Sequence, residues 1–272
     1  MSAAPAALRR LVLDLTHGGK DGPILRVAAE FAFQLGAALH GVFVEDEAVV
    51  QLAGMPFARE LRLPTHDWRA LDAEGIAHDF RAAALQARRM LDEAARALGV
   101  AGGFEVLRGD PAACLAALPG AMDIIVLPAS APPAPRYPAA AGILILPSAA
   151  APRAGAVAVV PGAQPGPALD FAVRCAIAAG TRLMILAASE DLLQAAAAEA
   201  EARGLRRQQI VLRRLEGVQT ETLLRALGDG RERLVVLPRG AAAQEDARVG
   251  ALLRLRHVPV LLAGIPDRQE GT

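Results

Sequence analysis

Ten short apolar runs alternate along this chain with segments of helical period, and the last five runs repeat the order of the first five. The first set is RRLVLDL (9–15), LHGVFVED (39–46), FEVLRGD (104–110), DIIVLPA (123–129) and GILILPS (142–148). The second is AVAVV (156–160), RLMILAAS (182–189), QQIVLRRL (208–215), RLVVLP (233–238) and VPVLLAG (258–264). Runs this short and this apolar read as buried strands, whereas 23–37, 76–98, 111–118, 167–180, 190–204, 220–227 and 244–256 carry apolar residues at helical spacing. Helices between buried strands imply parallel sheets covered on both faces. DIIVLP and RLVVLP hold the same place in each half, as do GILILPS and VPVLLAG. The plan is a tandem duplication: a first α/β domain over 1–148, a linker over 149–155 and a second domain over 156–272.

Charge and composition narrow the function. Lys plus Arg and Asp plus Glu balance at 29 each, which argues against a polyanion-binding surface and so against nucleic acid. Aromatic residues are only 3% against 53% hydrophobic, so the core must be aliphatic. Cys114 and Cys175 lie far apart in apolar helical patterns with no CxxC pair, and are expected to be buried, reduced thiols of a cytoplasmic protein. The apolar run after Arg10 is too short for a signal sequence, and no run is long enough to span a membrane.

The residues between the second strand and the long helix follow no repeat. In 47–75, which also holds Pro56 and Pro64, Leu52, Met55, Phe57 and Leu61 interleave with Arg59, Glu60 and Arg62 at helical spacing. They are expected to form a short helix or lid over the ligand end of the sheet, which covers a pocket, serves as a partner or self-association surface, or does no more than pack locally.

The chain resembles a tandem universal stress protein, the UspA-like group of the adenine-nucleotide α-hydrolase-like superfamily. The residues carrying the resemblance are Asp14 with Thr16 after the first strand, LGAALHGVFVED (35–46), LRGDPAACLAAL (107–118) followed by DIIVLP, RLVVLPRG, and LRLRHVPVLL (253–262). It implies two doubly wound, five-stranded parallel sheets of strand order 3-2-1-4-5, packed as an internal pseudo-dimer. In that arrangement residues 142–147 and 258–263 pair within one chain. It also implies an adenine-nucleotide site in which an acid after the first strand meets the adenosine, and a loop G-x2-G-x9-G-[ST] after the fourth strand wraps the phosphates.

Glycines in such a loop leave main-chain amides open to phosphate, and the next helix adds partial positive charge. In the first half that loop carries Pro132, Pro133, Pro135 and Pro138 and no glycine before Gly142. Proline lacks the amide hydrogen such a site needs. In the second half Gly240 and Gly250 keep the x9 spacing, but Leu237 and Ala251 stand where glycine and Ser or Thr belong, and Val160 replaces the acid. The residues to which the resemblance assigns a cofactor site, working or vestigial, are Asp14, Thr16, Val42, Gly109, Asp110, Arg239, Gly240 and Gly250. Asp14 is either a ligand contact or a cap of the following turn. Asp110 is either near the ligand or the N-cap of the helix opening at Pro111.

No catalytic constellation stands out. His17, His40, His66, His78 and His257 show no metal-ligand spacing, and Ser130 lacks a G-x-S-x-G context. The expectation is a binding or regulatory protein without an enzyme activity, metal or cofactor, acting in stress adaptation through protein contacts or a small ligand. Its partners are the internal pairing of the two halves and a protein partner or a second copy. The alternative is an adenine-nucleotide-binding stress protein that holds ATP or AMP through Asp14 of the first domain, with or without slow hydrolysis.

Overall fold

The computed structural model describes residues 8–16, 22–62, 66–129, 137, 139–147, 153–162, 166–217, 219–227, 231–239 and 242–264. The first half contains β1 (Arg10–Asp14), α1 (Gly22–Leu35), β2 (Ala38–Asp46), α2 (Glu47–Ala53), β3 (Arg59–Arg62), β4 (Asp67–Ala70), α3 (Ala73–Ala97), β5 (Gly102–Gly109), α4 (Pro111–Ala117), β6 (Asp123–Pro128) and β7 (Gly142–Leu146). The second contains β8 (Val157–Val159), α5 (Pro167–Ala178), β9 (Leu183–Ala187), α6 (Glu190–Ala202), β10 (Ile210–Arg214), α7 (Thr220–Ala226), β11 (Leu234–Pro238), α8 (Ala242–Ala251) and β12 (Val260–Ala263).

All ten expected strands lie in one ten-stranded sheet of order β10-β9-β8-β11-β12-β7-β6-β1-β2-β5. Each half is internally parallel, and counted along its own half each set reads third, second, first, fourth, fifth. The two meet at β7 and β12, which pair antiparallel from Gly142 opposite Ala263 to Ile145 opposite Val260. Alternate residues of one strand enter different layers: Leu11 and Leu13 join one buried cluster, Val12 the other. The first layer is roofed by α1, α3, α5 and α6, the second by α4, α7 and α8. Neither side chain set alternates with polar residues at the centre, because both faces are covered.

Several local rules set the element ends. Asp72 caps α3, accepting from Glu74 N and Gly75 N, so this helix starts at Ala73, earlier than its apolar stripe begins. Gly36, Gly99 and Gly180 end α1, α3 and α5 with positive φ, where a side chain would be strained. The C-terminal helical segment is α-helical only to Ala251 and continues as a π-turn over Leu252–Arg256, closed by His257 at φ 51°.

The 47–75 section departs from its helical reading. The helix there is α2, which ends before Gly54, and Arg59–Arg62 forms a strand paired antiparallel with Asp67–Ala70. Gly54 and Pro56 interrupt the helix, and beyond them the residues alternate with period two: Leu61 faces Trp68 and Glu60 faces Arg69. Cys114 also differs from expectation, being partly exposed, whereas Cys175 is fully buried.

The seam between the halves is held by more than its strand pair. α1 packs against α5, and Arg233 at the head of β11 forms an ion pair with Glu30 of α1, whose Oε1 also accepts from Gln34 Nε2 at 3.1 Å. Gly142 permits the close approach: a β-carbon there would lie 2.9 Å from the Leu262 carbonyl oxygen. At the head of β11 the main chain at Gly155 is tighter still, since a β-carbon would overlap the Arg231 carbonyl and reach 2.6 Å from its carbon. Among the described residues no helix is long and apolar enough to cross a membrane.

Candidate functional site

In an open α/β sheet, ligands sit at the carboxyl ends of strands where the winding changes direction. In the first half that place is the end of β1, between β2 and β6, with α1 on one face and α4 on the other. The chain leaving β1 is tied down by its own residues. Leu15 N donates to Val42 O at 2.8 Å. Asp14 Oδ1 accepts from Thr16 N at 2.9 Å, and Thr16 Oγ1 accepts from Val44 N at 3.0 Å. Asp14 thus closes the turn behind it, and Thr16 latches that turn to β2. Val42 is fully buried beneath, in the second core layer.

Asp110 lies at the end of β5, one strand beyond β2, and acts as the N-cap of α4: its Oδ1 accepts from Ala113 N at 2.7 Å. Gly109, at φ 148°, makes the bend that aims it, and a β-carbon there would meet Cys114 Sγ at 3.2 Å. Cys175 lies in the other layer; burial pushes its thiol up to about 12, while Arg233 and Arg174 pull it down.

The second-half residues do not join this site. β7 and β12 run antiparallel, so the strand ends of the two halves lie on opposite rims of the sheet. Arg239, following β11, donates through Nη1 to Ala140 O at 3.1 Å and to Gly264 O at 3.4 Å, and through Nη1 and Nη2 to Tyr137 O at 3.1 Å each. Its guanidinium serves main-chain carbonyls of both halves, Tyr137 and Ala140 in the first and Gly264 in the second. Gly250 lies within α8 rather than in a loop, because the segment from Ala242 has no residue that stops a helix. Val160, at the position of Asp14, donates its amide to Val236 O. Gly240, His17, Ser130 and the four loop prolines lie outside the described residues.

Tyr137, the chain's one tyrosine, was not singled out by spacing or motif. Its side chain is buried in the layer that also holds Val12, Val42, Val44, Ile125 and Leu127. Burial chiefly, and the Asp14 charge next, raise its phenol above the ordinary 10.0. Tyr137 therefore sits between the two rims, with its carbonyl gripped by Arg239 and its phenol within electrostatic reach of Asp14.

That placement can be read directly. A lone tyrosine gives an unmixed phenolate absorbance titration, and its midpoint is expected above 10.0. Asp14→Asn should lower the midpoint, because a neutral side chain no longer opposes the phenolate. A midpoint indifferent to that substitution would place the two groups apart. Among the described residues, no cluster of three or more His, Cys, Asp or Glu is arranged to hold a metal ion.

No family model and no curated protein sequence matches the chain. Among solved structures, a universal stress protein from Archaeoglobus fulgidus DSM 4304 superposes with a TM-score of 0.66 at 12% identity, covering 96% of this chain and 97% of that one. At that identity the likeness is one of fold, and it extends through both halves of the α/β sheet.

Proposed function

We propose that this chain is a universal stress protein-like binding and regulatory protein whose nucleotide-binding loops are degenerate. It works in the cytoplasm, in stress adaptation, through protein contacts or a small ligand other than ATP. Its two units are 1–148 and 156–272, joined by 149–155. The observation that carries the reading is the use already made of the polar groups a nucleotide would need. Asp14 Oδ1 holds the Thr16 amide, and the Arg239 guanidinium is directed at three main-chain carbonyls. A ligand would have to compete with those bonds, each stabilising the folded chain by about 0.5–1.5 kcal/mol, or more where the group is charged.

Isothermal titration with ATP, ADP and AMP tests this. No heat of binding is expected up to millimolar nucleotide, and no turnover. Micromolar affinity that disappears in Asp14→Ala would instead establish the adenine-nucleotide alternative.

A further inference from the structure

The β3–β4 hairpin stands apart from the ten-stranded sheet, and every residue of β4 is exposed. A two-stranded hairpin is marginal in water, and three or more strands with an apolar face are usually needed for stability. This one carries an apolar face that its own chain leaves open. Leu61 and Trp68 face one another across the hairpin, with Trp68, the chain's one tryptophan, 62% exposed. Leu52, Met55 and Phe57, on the approach to β3, are exposed as well. Exposed aromatic, Met and Leu side chains concentrated in this way mark an interface rather than ordinary surface.

The charges on β4 specify what fits. Asp67 and Arg69 flank Trp68 on the opposite face of the strand. Place a second β4 antiparallel beside the first, on a two-fold axis normal to the hairpin and passing between the two copies of Trp68. Trp68 then faces Trp68 of the other copy, Asp67 faces its Arg69, and Arg69 faces its Asp67. On one side runs an apolar row of Leu61, Trp68, Trp68 and Leu61. On the other, Glu60, Arg69 and the second copy's Asp67 alternate in sign, since Glu60 lies opposite Arg69 within the hairpin. A shift of two residues in either direction removes the tryptophan pair and both ion pairs, and sets Arg69 against Arg69 or Asp67 against Asp67. The isologous register is thus the one that satisfies both faces.

We propose that β4 is a self-association edge, through which two copies of the chain join their hairpins into one four-stranded antiparallel sheet. The two-stranded piece gains the strands it lacks, and the exposed edge is closed.

The test uses the full chain. Sedimentation velocity between roughly 1 and 100 µM, where a small interface of this kind exchanges partners, should show a monomer–dimer equilibrium. Trp68 emission should shift to the blue as the dimer forms. Asp67→Arg and Arg69→Asp each place like charges opposite one another twice, and each should weaken dimerisation by about tenfold or more. Mixed together, the two single variants should form a heterodimer, because each cross-chain pair then again sets an arginine against an aspartate. A folding defect in either variant would not be repaired by mixing, and circular dichroism of each alone checks for one. A monomer throughout that range overturns the proposal. So does a dimer untouched by both substitutions and by Trp68→Glu, and so does failure of two folded single variants to pair.

Discussion

Gly155→Ala is expected to lower the unfolding free energy by about 3 kcal/mol, the largest loss anticipated for so small a change. The added methyl would overlap the Arg231 carbonyl and stand 3.0 Å from Glu232 Cα. These are main-chain atoms at the head of a central strand, so no side-chain rotation relieves the clash. Separation of the two segments would strain the bond from Arg233 N to Ala156 O and that from Thr181 Oγ1 to Gly155 O. It would also disturb Glu232, a buried carboxyl raised above its ordinary range chiefly by burial, while its own main-chain hydrogen bond and then Arg256, Arg213 and Arg153 draw it back. Urea denaturation followed by circular dichroism measures the loss. Gly22→Ala, where a β-carbon would meet nothing within 4 Å, should change stability by less than about 0.5 kcal/mol. A similar value for Gly155→Ala would mean that the strand heads part easily.

Tyr137→Ala is the second large effect, at about 3–5 kcal/mol, in the range for removing a buried aromatic side chain. The ring is 2% exposed and belongs to the layer that packs the first-half strands under α4. Tyr137→Phe keeps the packing and should lose much less. Arg239→Ala leaves the carbonyls of Tyr137, Ala140 and Gly264 without that donor, at a cost of about 1–3 kcal/mol for each acceptor that finds no other. Since Arg239 grips the main chain that the ring anchors, the two alanine substitutions should be coupled by roughly 1 kcal/mol in a double-mutant cycle. Strict additivity would show that the clamp and the ring act separately.

The layered architecture could be read from the sequence because its determinants are local. Runs such as DIIVLP and RLVVLP are too apolar and too short to be anything but buried strands, and glycines such as Gly36 and Gly180 stand where helices stop. The cap at Asp110 was legible for the same reason: an Asp before Pro111 has only the next turn to satisfy. What failed was the 52–62 segment, where four apolar residues matched a helical stripe by chance while Gly54 had already ended the helix. The site was harder, because its key contacts are long-range. Nothing near Tyr137 in sequence marks it as buried beside strands β1 and β2, and nothing near Arg239 points to carbonyls roughly one hundred positions earlier. Glycine spacing was a poor guide as well, since a Gly240–Gly250 pair carries no information once the residues from Ala242 onward coil into α8.

The antiparallel seam has a further result. Opposed rims are separated by the length of a strand, about 16 Å for five residues. Changes more than about 7–10 Å apart with no shared neighbours add independently. Valine could therefore replace an acid on one rim while Asp14 persisted on the other, with no compensating substitution required between them. The molecule is two-ended, and outside the Tyr137–Arg239 link each end is open to drift or selection by itself.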